Sequence, residues 1–182
     1  MALIHPWHDV SLGKDAPKIV QAIVEIPFRT SVKYELDKES GLLRLDRHMH
    51  SAVHYPADYG FLPQTYCDDK DPLDVLILTN QPTQSLALCE VKVIGAFKMS
   101  DDGEQDDKII GVHAHDPHYK EWNSIKDIPK HYLKEIQHFF ETYKQLKGGN
   151  VKITKVLDVK DAYKIIADAQ KLYQKNFKKG KE

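Results

Sequence analysis

The stretch DKDPLD at residues 69–74 sets three carboxylates, Asp69, Asp71 and Asp74, around a proline, with Asp68 directly before them. Like charges about 4 Å apart repel by roughly 4 kcal/mol per pair at an effective dielectric near 20. A solvated loop tolerates that repulsion, whereas carboxylates fixed beside a strand are relieved by a divalent cation. Pro72 stiffens the turn, which suits the octahedral geometry that magnesium demands. The stretch lacks the glycine and bidentate glutamate of an EF-hand, and oxygen-only ligands favour magnesium or manganese over zinc. A second cluster, Asp101, Asp102, Glu104, Asp106 and Asp107, also falls at a strand end. Together the clusters hold nine of the 27 acidic residues within fourteen positions, too concentrated for an evenly charged surface. Either the fold joins them into one multi-cation site, or they are two separate solvated turns.

Magnesium is commonly shared between a few carboxylates and substrate phosphates, so a phosphate partner calls for cations and hydroxyls nearby. Lys33, Arg47, Tyr55, Tyr59, Lys108, Tyr143 and Lys144 are candidates, although each alone is an ordinary surface or packing residue. There is no GxxxxGK[ST] loop and no GxGxxG after a strand, which argues against nucleotide binding by those devices, and no GxSxG elbow. Among ten histidines, His48, His50 and His54 cluster, as do His113, His115 and His118. Neither group shows HExxH or another zinc pattern, so structural or surface roles are expected, with some pH sensitivity.

The elements that must position these residues change period along the chain. Strands fit residues 19–28, 32–46 with a hairpin turn at DKESG, 74–80, 87–99 and 108–115, the last two separated by the acidic loop SDDGEQDD. A helix follows, with Leu133, Ile136, Phe139, Phe140, Tyr143 and Leu146 at helical spacing and Gly148 and Gly149 as the stop. After a short strand at 151–158, a second amphipathic helix from about Asp161 carries Ala162, Ile165, Ile166, Ala169, Leu172 and Tyr173 on its inner stripe. Many short strands and then two helices imply a mainly β fold, a small closed or partly closed barrel with helices packed outside.

With 182 residues and 41% hydrophobic content, the chain fits a single domain over 1–182. A net charge of −1 gives no general attraction to nucleic acid or anionic membranes. No stretch resembles a signal peptide or a membrane span, so a cytoplasmic protein is expected. Cys67 and Cys89 lack CxxC spacing and read as reduced packing residues. The basic end KNFKKGKE reads as a solvated tail.

These residues resemble a known signature. DKDPLDV is similar to the Asp-x-Asp-Pro-apolar-Asp-apolar pattern of soluble, family I inorganic pyrophosphatases. VEIPFRTSVKYELDKESGLLRLDR, YPADYGFLP, GAFKMSDDGEQDDKII and HFFETYKQLK occur in the family's order, so the resemblance spans residues 9–175. It implies a five-stranded closed β-barrel (OB-fold type) with two C-terminal α-helices packed outside. It also implies hydrolysis of inorganic pyrophosphate to two orthophosphates by metal-activated water, with several magnesium ions per subunit and manganese as a substitute.

By motif, Asp69, Asp74 and Asp106 resemble ligands of the tightest magnesium, Asp74 being shared with a second ion. Asp101 and Asp106 would hold an ion arriving with substrate, and Glu25 would support another. Asp71 resembles the general base. Lys33, Arg47, Tyr59, Lys108, Tyr143 and Lys144 resemble the phosphate donors, and Glu35, Tyr55 and Asp102 the site lining. Asp102 departs from the pattern, since glutamate is common at that position. The compact length resembles the prokaryotic form, for which homo-hexamers are usual. Read from residues alone, two rivals stay open: a nucleic-acid-binding barrel, whose acids would repel a phosphodiester backbone, and a magnesium-dependent phosphomonoesterase or nuclease.

Overall fold

In the computed structural model, which describes residues 4–177, the strand-rich part closes on itself. The tail from residue 178 lies outside the described residues. The strands are β1 (Ile19–Ile26), β2 (Val32–Leu36), β3 (Leu43–His48), β4 (Asp58–Phe61), β5 (Asp74–Leu78), β6 (Leu88–Asp101), β7 (Glu104–Gln105), β8 (Lys108–His113) and β9 (Val151–Leu157). The helices are α1 (Lys130–Thr142) and α2 (Val159–Phe177). Pairing runs β1–β4–β5–β8–β6, and β6 returns to β1, giving the expected ring of five strands. β7 and β9 extend β6, while β2 and β3 form a separate hairpin.

The apolar run of β5 has no polar side because both of its faces are covered. Val75 and Ile77 pack in one core with Ala162, Ile166 and Ala169 of α2. Leu76 and Leu78 pack in the other with Ile136, Phe139 and Phe140 of α1. β5 and β8 run parallel, with Asp74 opposite Lys108 in the first rung. That register brings the ends of the two acidic loops side by side.

The structure departs from the sequence reading at four places. β4 forms in YPADYGFLP, where glycine and flanking prolines hide a strand. A side-chain carbon at Gly60 would lie 1.9 Å from the Ile23 carbonyl oxygen, so this close approach of β4 to β1 requires glycine. The first helix stops at Thr142, whose hydroxyl bonds back to the His138 carbonyl at 2.6 Å. The chain then tightens into a 3-10 turn over Gln145–Lys147, and Leu146 is exposed instead of continuing the stripe. The second helix starts two residues early because Asp158 caps it, accepting from the Lys160 and Asp161 amides at 2.9 and 3.0 Å. The acidic loop contains β7, reached through Asp102 (φ 50°) and Gly103 (φ 95°), the backbone of a tight hairpin.

Candidate active site

Bulges aim two acids that regular strands would have turned elsewhere. On β1 the register skips between Val24 and Ile26, leaving Glu25 unpaired in the ladder. Its carboxylate accepts the Leu36 amide at 2.7 Å and so couples the hairpin to the barrel. On the hairpin the register skips between Lys33 and Tyr34, so Asp46 is the extra residue. Asp46 reaches Arg47 at 2.6 Å and Lys33 at 3.6 Å, offsetting the repulsion of these two directly opposed cations.

Glu25, Lys33, Glu35, Arg47, Tyr55, Tyr59, Asp69, Asp71, Asp74, Asp101, Asp102, Asp106, Lys108, Tyr143 and Lys144 all line one cavity of about 600 Å³. Every residue proposed from the sequence is therefore in the same cleft. At its centre, the buried ammonium of Lys108 lies between the carboxylates of Asp74 and Asp106. Tyr59 donates its hydroxyl to Asp74 at 2.6 Å. Lys144, just beyond the end of α1, is paired with Asp101. Tyr143 stacks on Phe139 at 5.3 Å, and Tyr55 meets Tyr59 edge-on at 5.6 Å. Asp102 lines the rim and accepts the Asn150 amide at 2.8 Å, which anchors the second acidic loop to the start of β9.

Burial first, and neighbouring charge second, shift titrations in this cleft. Burial pushes Glu25 up to about 8, and the negative charge of Asp74 adds to the effect. Asp69 is pushed up to about 6, first by burial and then by Asp71, Asp74 and Asp106, although the Asp71 amide bonded to it at 3.0 Å works the other way. Burial opposes the charge on Lys108, but Asp74 and Asp106 outweigh it and hold the ammonium protonated. Tyr55, Tyr59 and Tyr143 are raised chiefly by burial, so they persist as hydroxyl donors.

Among the described residues, no three His, Cys, Asp or Glu side chains are already gathered as a metal-ligand set. The carboxylates instead rest on lysines. The donor set nevertheless fits hard cations: it is all oxygen, Asp101 keeps a buried carboxylate oxygen without a partner, and burial raises the titrations of Glu25 and Asp69, so that a cation would compete with protons there. His48, His50 and His54 are exposed and stand outside the cleft lining, as do His113, His115 and His118. The sequence reading missed Asp46 and Lys38. Lys38 lies in DKESG, read only as a turn, yet it lines the cleft and pairs with Asp71.

A closed barrel that gathers acids, bases and hydroxyls at one cleft is the class of protein equipped to hold hard cations and a small phosphate anion together. A family model described as inorganic pyrophosphatase matches residues 22–174. Soluble inorganic pyrophosphatase 2 of Chlamydomonas reinhardtii is 46% identical over 173 residues, covering 95% of this chain and 90% of that protein. The crystal structure of inorganic pyrophosphatase from Thermus thermophilus superposes with a TM-score of 0.88 at 40% identity, covering 91% of this chain and 97% of that one. The Helicobacter pylori inorganic pyrophosphatase gives 0.86 at 37%, covering 91% and 98%. The chain belongs to the inorganic pyrophosphatase family, a metal-dependent family whose members hydrolyse pyrophosphate to phosphate. Among the described residues, no helix is long and apolar enough to cross a membrane.

Proposed function

We propose that this protein hydrolyses inorganic pyrophosphate to two orthophosphates by direct attack of water, without a covalent enzyme intermediate. The observation that carries this reading is the gathering of all the predicted acids, bases and tyrosines around one cavity. Asp69, Asp74, Asp101, Asp106 and Glu25 are the residues to hold magnesium, for which manganese can substitute. When bound, these ions supply Lewis-acid activation of the water and neutralise substrate charge.

The chain's own residues do the rest. Lys33, Arg47, Lys108 and Lys144, with the hydroxyls of Tyr59 and Tyr143, bind and orient the two phosphoryl groups. Asp71, on the rigid Pro72 turn, takes the proton of the attacking water as its oxygen bonds to phosphorus. The bridging P–O bond then breaks, and the lysines and arginine stabilise the charge that develops on the leaving phosphate. Glu35 steadies Lys33 by pairing with it.

A homo-hexamer and a cytoplasmic location belong to the same reading and rest on the resemblance to the compact prokaryotic form. Sedimentation of the purified protein tests the assembly. Phosphate release from pyrophosphate with magnesium, against a chelated control and against nucleotides and phosphomonoesters as substrates, tests the function. Rapid, magnesium-dependent release from pyrophosphate alone is expected. Preference for a phosphomonoester would overturn the substrate assignment.

A further inference from the structure

Five basic side chains line the cleft, and each rests on a carboxylate: Lys33 on Glu35, Arg47 on Asp46, Lys108 on Asp74 and Asp106, Lys144 on Asp101, and Lys38 on Asp71. In the first four, the basic side chains are 3–21% exposed. Lys38 and Asp71 are 47% and 48% exposed. The Lys38 pair is therefore the one that water screens most and that a competing anion breaks most easily.

The backbone beneath Lys38 is fixed. Asp37 accepts the Ser40 amide and hydroxyl at 2.9 and 2.8 Å and also pairs with Arg44. The Gly41 amide closes the turn onto the Asp37 carbonyl at 2.8 Å, and the Lys38 carbonyl lies 3.1 Å from the His5 ring. Movement at this tip is thus left to the Lys38 side chain, a point charge with three donors on a flexible stem. That side chain crosses from the hairpin to the first acidic loop, where it meets Asp71 and donates to the Lys70 carbonyl at 3.1 Å.

We infer that Lys38 is a further substrate-binding residue, a counter-ion that passes from Asp71 to a terminal phosphate oxygen when pyrophosphate enters. The inference rests on the reading of Asp71 as the base. A polyanion outcompetes one solvated carboxylate for this lysine, whereas Lys108 and Lys144 stay with their less exposed partners until cations arrive. The exchange makes and breaks no covalent bond. It frees the Asp71 oxygen that Lys38 covers to accept a hydrogen bond from the attacking water.

Lys38→Met and Lys38→Arg in the full chain test this, with thermal melting to establish that both are folded. Imidodiphosphate, whose P–N–P bridge resists hydrolysis, serves as the calorimetric probe under saturating magnesium. Lys38→Met is expected to raise both KM for pyrophosphate and Kd for imidodiphosphate about tenfold, with kcat within about threefold. Lys38→Arg restores most of that affinity. Unchanged KM and Kd in Lys38→Met, or a loss confined to kcat, overturns the inference. A parent protein that fails to release phosphate from pyrophosphate defeats the underlying reading instead.

Discussion

Two cavities of similar size lie on this barrel, the acidic cleft at about 600 Å³ and a more open one at about 710 Å³ between the 79–83 and 113–118 loops. Both are lined by acids and bases, yet only the first concentrates charge. In the cleft, carboxylates from two distant loops converge on buried Lys108, and beside them Asp69 is raised first by burial and then by its negative neighbours. On the histidine face the pairs are separate and solvated: His115 with Glu90 at 2.9 Å and His118 with Asp116 at 3.0 Å, the histidine side chains 82% and 67% exposed. His113 alone turns inward, 3.3 Å from the Thr83 hydroxyl and 3.8 Å from the fully buried carboxylate of Asp58. The number of charged side chains already separates these regions, and burial and convergence widen the difference.

The contrast fails if the cleft is chemically inert. Asp71→Asn is expected to lower turnover by about 10²–10⁴-fold while leaving magnesium affinity and melting temperature near those of the parent. Phosphate-release kinetics check it, and parental turnover would remove Asp71 as the base. A smaller effect on stability tests the buried charges. Lys108→Met leaves Asp74 and Asp106 without their cation and should cost the metal-free protein about 3 kcal/mol in urea unfolding. Magnesium should restore part of that loss, because the freed carboxylates gain another cation.

The smallest effects belong to the histidine face. His113 is pushed up to about 9, first by hydrogen bonding to Asp58 and next by Cys89. Since its folded value lies above the ordinary 6.5, its contribution is full below about pH 6.5 and is lost as pH rises through about 9. His113→Ala should therefore destabilise by about 2 kcal/mol near pH 6 and much less at pH 10, read from urea midpoints. His115→Ala and His118→Ala should stay within about 0.5 kcal/mol at either pH. Equal effects at all three positions would erase the distinction between inward and outward histidines.

The main elements and the two acidic clusters were legible because apolar periodicity and clustered aspartates leave local marks in a sequence, whereas Glu25 and Glu35 entered only through the family resemblance. What escaped depends on contacts between distant segments. Tyr59 could be singled out, but the strand that carries it could not, since Gly60 weakens strand propensity and is required only by the approach to Ile23. Lys38 sits in an ordinary turn and gains its meaning from Asp71 across the cleft. Asp58 reads as a polar loop residue, yet it caps the Phe28 amide at 2.7 Å and the Thr83 amide at 3.1 Å in the interior. The N-terminal segment shows no period, but Trp7 is buried against Tyr66, Tyr173 and Phe177 and donates to the Thr65 carbonyl at 2.8 Å.

The parallel rung that seats Asp74 opposite Lys108 has a consequence for how the molecule comes into being. Residues so remote along the polypeptide become neighbours only once that ladder zips, and a slip of one position would send their side chains to opposite faces. The contact of Asp74 with Lys108 therefore requires the β5–β8 ladder to be in place. Recovery of catalysis after denaturation is thus a clock for the moment at which the ring seals.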